Sequence, residues 1–180
     1  MSGAGVDRYS HSAIALHWLL AIAIAISFSV GLYMSDLPLS PLRLKLFNWH
    51  KWAGITILTF SAVRLMWRLL RRPPPAAAMP AWQQVAAHRL HQALYVLFFA
   101  VPLAGWTYSS AAGFPVVVFG VLPLPDLVAP DKALAAVLKP LHKYLAYTLA
   151  LLVAGHIGAA LKHHFIDRDR LLARMWPGRT

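Results

Sequence analysis

Four long apolar stretches, at about 13–34, 49–70, 88–110 and 141–163, alternate with polar and proline-rich connections along the 180-residue chain. Each is close to the roughly 20 residues that an α-helix needs to cross a hydrocarbon core about 30 Å thick. The pattern predicts an all-α membrane protein: a four-helix transmembrane bundle, up-down-up-down, forming a single transmembrane domain over residues 1–180. The first stretch is read as a retained helix rather than a signal peptide. Its apolar run continues past Val30 to Met34 with no small-x-small cleavage pattern, and it carries His17. Prolines mark the connections: Pro38 and Pro41 before the second span, Pro73, Pro74, Pro75 and Pro80 after it, and Pro115, Pro123, Pro125, Pro130 and Pro140 bracketing the loop before the fourth. Pro102 falls inside the third run, where packing against neighbouring helices tolerates a kink. No internal repeat is evident.

Composition agrees with a bilayer as solvent, because 59% apolar and 13% charged residues make too greasy a chain for a water-soluble globule. The net charge of +11 does not point to nucleic acid: the Lys and Arg residues sit at the edges of apolar runs, as membrane orientation and anionic lipid headgroups require. Arg64, Arg68, Arg71, Arg72 and Arg89 flank the second connection, and Lys162, Arg168, Arg170, Arg174 and Arg179 follow the last span. The positive-inside bias therefore predicts that both termini face the cytoplasm. The outer connections are also basic, since Arg43, Lys45, Lys51, Lys132, Lys139 and Lys143 outnumber Asp36, Asp126 and Asp131. Trp18, Trp49, Trp52, Trp67 and Trp106 lie near span ends, where indole rings anchor at the interface.

The candidate chemistry lies in the histidines. An ionisable side chain inside a span is expensive and faces the bundle interior, so His17, His50, His142 and His156 need partners. Neutral imidazole is an axial ligand of haem iron, and a four-helix bundle can bring ligands from facing helices to either side of a porphyrin. Cysteine is absent, which excludes iron–sulfur clusters and covalent c-type attachment, so any haem is held non-covalently. Depth sorts the four. His50 and His142 each open a span at the outer face, whereas His17, early in the first span, and His156, late in the fourth, lie at the inner face. The 14 residues from His142 to His156 correspond to roughly 21 Å of rise and about 40° of rotation, so one helix presents both on one face. Two b-type haems, one per bis-histidine pair, fit this arrangement. Ala21, Gly54, Ala146 and Ala160 stand one turn beyond these histidines, where a macrocycle needs a small side chain; Gln92, Tyr95, Asp167 and Arg168 stand there for His88, His91, His163 and His164. Each histidine taken singly is equally compatible with a hydrogen-bonded core role, and small residues are common between membrane helices in any case.

Other residues carry open alternatives. His163 rivals His156 on nearly the same face, although Lys162 and His164 beside it favour an interfacial role. His88 and His91 begin the third span and either bond a haem propionate or quinone or are solvated. Arg64 follows His50 by 14 residues, at the inner depth, with Arg68 one turn on; these guanidinium groups either pair with propionates or snorkel to headgroups. Lys51 and Lys143, each directly after an outer histidine, either meet propionates, steer a small anion, or form a solvated face.

With these residues in view, the chain resembles the bacterial cytochrome b561 family over nearly its whole length. The resemblance is carried by the Tyr9-to-Trp18 segment ending His17-Trp18, the His50-to-Gly54 stretch with Arg64 and Arg68, the His88/His91 pair, Leu141-His142, and the run from Gly155-His156 to His163-His164. It implies a four-helix, di-haem membrane cytochrome with bis-histidine ligation mapping onto His17, His50, His142 and His156. It also implies electron transfer with ubiquinone and, for one branch, oxidation of periplasmic superoxide; neither substrate follows from spacing or composition. A second class of function is a haem-bearing anchor subunit that accepts electrons from a dehydrogenase or hydrogenase partner. A third, a metal-ion transporter, is disfavoured because the chain has no Glu and its Asp residues lie outside the expected spans.

Overall fold

The computed structural model describes residues 8–71, 73–75, 79–169 and 171–177. Arg72, Arg170 and Arg179 lie outside the described residues. Four helices, α1 (His11–Asp36), α2 (Pro41–Leu70), α3 (Ala81–Ala111) and α4 (Lys132–Phe165), form the bundle. A two-stranded hairpin, β1 (Val117–Val118) and β2 (Leu122–Pro123), joins α3 to α4, and a 3-10 turn at Leu172–Arg174 follows α4. All four helices are long and apolar enough to cross a membrane. Adjacent helices in the sequence are the closely packed neighbours: α1 on α2, α2 on α3 and α3 on α4.

Local chemistry sets the helix ends. The Ser10 side chain caps α1 by accepting from the Ala13 N–H, and Ser40 caps α2 ahead of Pro41, whose missing N–H costs nothing at a first helical position. Asp131 caps α4 by accepting from Ala133 and Leu134. These caps carry the helices beyond the apolar stretches, so α2 begins at Pro41 and α4 at Lys132. Pro140 is a correction to the sequence reading. It lies inside α4 rather than in the preceding connection, because the Asp131 cap starts the helix well upstream and the proline removes only one ladder bond. Pro102 is buried within α3, as its place in an apolar run suggested.

The outward faces stay apolar: Ile22, Ile26 and Leu151 are 56%, 59% and 71% exposed, the inverse of a water-soluble bundle and the surface that acyl chains cover. The interior is thin. Its centre is Leu94 and Leu97 of α3 against Leu149 of α4, flanked by Ile24, Phe98, Leu145 and Leu152. Leu149 stands seven residues from both His142 and His156, so this layer separates the two ends where histidines gather.

The first and last described segments meet at one end of the bundle. Tyr9 N–H donates to Arg174 O at 3.2 Å, Trp18 Nε1–H donates to Met175 O at 2.7 Å, and the Trp18 and Trp176 rings meet edge-on at 5.9 Å. Trp18 therefore tethers the C-terminal segment as well as standing at a span end. Trp67 is likewise bonded inside the protein, its Nε1–H reaching Ser10 Oγ at 3.2 Å.

Candidate functional site

The histidines form two groups, one at each end of the bundle. At the first, His50 of α2 and His142 of α4 face each other with ring centroids 6.1 Å apart and planes at 83°. His50 Nδ1 lies 3.1 Å from Ser27 O and 3.3 Å from Ser27 Oγ on α1, and His142 Nδ1 lies 3.0 Å from Val101 O on α3. A carbonyl only accepts, so each Nδ1 carries the proton. Each Nε2 is left as a lone-pair nitrogen with no hydrogen-bond partner among the described residues. That tautomer is the one a metal ligand needs, with the second nitrogen fixed by a backbone carbonyl.

The neighbouring helices are shaped for these rings. A Cβ on Gly31 would meet His50 Cε1 at 3.1 Å, and one on Gly105 would meet His142 Cε1 at 2.9 Å. In both cases the glycine stands four residues after the carbonyl that accepts from Nδ1, so one helical turn supplies both the acceptor and the gap. Sequence reasoning missed Gly31 and Gly105. The signal was present as small residues four apart, Ser27 with Gly31 and Gly105 with Ser109, a pattern of close helix approach in membranes.

At the second end, His17 of α1 and His156 of α4 are 6.2 Å apart with planes at 73°. His91 of α3 joins them, its ring 5.2 Å from that of His156. Arg64 of α2 donates from Nη1 to Ala13 O at 3.3 Å and stands within electrostatic reach of all three rings, so all four helices contribute here. Beside this group Leu65, Arg68, His88, His91, Gln92, Tyr95 and Val96 line an open groove of about 500 Å³ between α2 and α3, with the Arg68 guanidinium 5.8 Å from the Tyr95 ring centre. The structure thus brings His91 into the site region and gives His88 a place on the groove wall.

The remaining candidates fall elsewhere. His163 is not in the ring group: its Nδ1 donates to Asp169 at 2.7 Å and lies 3.1 Å from Asp167, which Lys162 contacts at 2.6 Å. This ion cluster fastens the segment after α4. Lys51 is half-buried; its ammonium donates to Phe114 O and Pro115 O at 3.1 and 3.3 Å, with Asp126 nearby. Lys143 is exposed and lies over the Tyr147 ring at 5.8 Å.

A sequence profile of the prokaryotic cytochrome b561 family matches residues 8–178. The chain belongs to the prokaryotic cytochrome b561 family. It is 37% identical over 171 residues to cytochrome b561 homolog 2 of Escherichia coli (strain K12), covering 94% of this chain and 91% of that one. Identity to cytochrome b561 homolog 1 of the same organism is 34%, covering 97% and 99% of the two chains. A probable superoxide oxidase CybB of Yersinia pestis is 31% identical, covering 94% and 96%. Membership makes this b561-family chain a multi-pass bacterial membrane protein of electron transfer that works with haem b.

Its own residues fit that group. Neutral imidazole is a haem-iron ligand, and the residues that would hold the iron are His50 with His142 at one end and His17 with His156 at the other. Their rings face each other from different helices at 6.1 and 6.2 Å, while His91 lies closer to His156, at 5.2 Å. A Cβ on Gly54, one turn beyond His50, meets nothing within 4 Å, leaving open space where a macrocycle needs it. Among the described residues, Trp106 Nε1–H, next to Gly105, is buried without a partner and can donate to a carboxylate.

Proposed function

We propose that this cytochrome carries two b haems, one between His50 and His142 and one between His17 and His156, and relays single electrons from a periplasmic donor to ubiquinone. The observation that supports this most strongly is the pair of ring separations, 6.1 and 6.2 Å, at the two ends of one bundle. Haem iron, when bound, supplies the one-electron chemistry. The protein's part is to hold and tune. The Ser27 and Val101 carbonyls fix the tautomer and orientation of His50 and His142. The Leu94, Leu97 and Leu149 layer keeps water out between the two ends, and the Arg64 guanidinium supplies positive charge beside His17, His91 and His156.

The His17/His156 end faces the cytoplasm on this reading, because Arg64, Arg68, Arg71, Arg89 and Lys162 lie on that side of the spans. The groove beside it is the place for the quinone headgroup. Arg68 and Gln92 can donate to quinone oxygens, His88 or His91 can pass protons, and Tyr95 offers a ring face. Superoxide as donor is supported by the Yersinia pestis relative's name and by a basic surface at the opposite end, where Arg43, Lys45 and Lys143 would attract a small anion. Two superoxide ions would each yield oxygen and one electron; two electrons and two protons then convert ubiquinone to ubiquinol.

The test uses purified haem-loaded protein with ubiquinone and an enzymatic superoxide source. Ubiquinol formed at one per two superoxide ions is the expected result. No quinol formation by the isolated protein, together with co-purification of a stoichiometric dehydrogenase or hydrogenase, would replace this reading with that of an anchor subunit.

A further inference from the structure

The connection between α3 and α4 opens with a long apolar stretch. Residues 112–125 contain no charged side chain, and Phe114, Phe119, Val121 and Leu122 are 66%, 67%, 81% and 57% exposed. A contiguous apolar tip of this kind in water would be a liability. Its depth is fixed by α2. Trp52 Nε1–H donates to Val117 O at 2.6 Å, and the Trp52 and Phe119 rings meet at 5.5 Å. Trp52 lies at the start of the apolar part of α2, beside His50, which is the level of the membrane interface. The hairpin therefore continues the lipid-facing surface of the bundle.

We infer that the 112–125 hairpin is a membrane-inserted element whose tip lies among headgroups and upper acyl chains of the leaflet at the His50/His142 end. Its backbone suits a medium poor in water. Phe114 N–H donates to Ser109 O, Gly120 to Val117 O, Val121 to Val118 O and Leu124 to Val116 O, and Val118 pairs with Leu122 across the hairpin. Lys51 takes up two carbonyls, and Pro115, Pro123 and Pro125 have no N–H to satisfy. The turn adds a second, independent argument. Phe119 and Gly120 have φ of 52° and 74°, consecutive left-handed positions that Asn-Gly fills without strain. A bulky aromatic in that conformation is uncommon; its ring packs on Trp52 and is otherwise 67% exposed, a face that lipid would cover. Because Lys51 and Trp52 grip the hairpin directly after His50, insertion also braces that end of the site.

The chain has no cysteine, so single labels can be placed without background. Spin labels at Val121→Cys, Leu151→Cys and Lys132→Cys in the haem-loaded protein in liposomes are compared by their collisions with oxygen and with a water-soluble nickel chelate. Leu151, 71% exposed in the middle of α4, is the lipid reference, and Lys132, an exposed charged residue at the first position of α4, is the water reference. The Val121 label is expected to favour oxygen over the chelate, as Leu151 does. A label that favours the chelate like Lys132, or one shielded from both because protein covers it, would overturn the inference. Phe119→Asn, which relieves the turn but removes the ring, is expected to raise chelate collisions at Val121 severalfold; an unchanged label would contradict the anchoring role of Phe119.

Discussion

Gly105→Ala is a one-methyl perturbation aimed at the seat of His142. The new Cβ would lie 2.9 Å from Cε1 and 3.1 Å from Nδ1 of that ring, where ordinary contact begins at 3.4 Å, so the imidazole must retreat by about half an ångström. The ring is not free to do so, because Nδ1 is bonded to Val101 O at 3.0 Å on the same helix turn. Losing or stretching that bond and rotating off a preferred rotamer together cost about 1–3 kcal/mol, the usual range for one added methylene in a packed site. Against this, alanine improves a helix interior by about 1 kcal/mol, so the bundle itself remains folded. The burden falls on the ligand geometry, and haem affinity at the His50/His142 pair should drop by about 5- to 150-fold. Gly31→Ala, with a closest approach of 3.1 Å to His50, should do the same more weakly. Gly54→Ala is the informative contrast: its Cβ meets nothing within 4 Å, and alanine already stands one turn beyond His17, His142 and His156, so it should strengthen the helix and leave haem retention unchanged. The assay is haem per chain, with midpoint potentials, after detergent purification at matched helicity. Full haem content and unchanged potentials in Gly105→Ala would refute the reasoning.

Three further outcomes are expected. His50→Leu and His142→Leu should each remove the same haem and His17→Leu and His156→Leu the other, while His91→Leu keeps both; the reduced spectra of the five variants check this. Arg68→Gln should raise the KM for ubiquinone about three- to tenfold through loss of a charged donor, with haem content unchanged, as steady-state quinone reduction would show. Trp106→Phe should lower the potential of the haem at the His50/His142 end by tens of mV, since a donor to a propionate offsets its negative field, and a redox titration with an unaltered spectrum would establish it.

The four helices were legible because lipid imposes long apolar runs that no other environment requires. Their ends were less so. Apolarity marks the part of a helix inside lipid, whereas Ser40 and Asp131 decide where α2 and α4 begin, and Pro140 stays within α4 because one lost ladder bond does not end a capped helix. The pairing of His50 with His142 and of His17 with His156 followed from depth and helical phase. The parts that could not be read are those made by approach between helices. Gly31 and Gly105 carry no chemistry of their own, and nothing along the chain announces that Ser27 and Val101 carbonyls meet imidazoles from other helices. His91 was ambiguous because its nearest ring, His156, lies 65 residues away in sequence. The protein partners of Lys51 were out of reach for a similar reason: Phe114 O and Pro115 O belong to a hairpin whose return to α2 depends on the turn at Phe119 and Gly120.

The central claim is that two bis-histidine sites exist at two depths, and haem quantification per chain, with a reduced-minus-oxidised spectrum of the purified protein, tests it most directly. Two b haems per chain in the native protein, falling to one in His50→Leu and to one in His156→Leu, is the predicted result. One haem in the native protein, or a His50→Leu variant that keeps both, would contradict it.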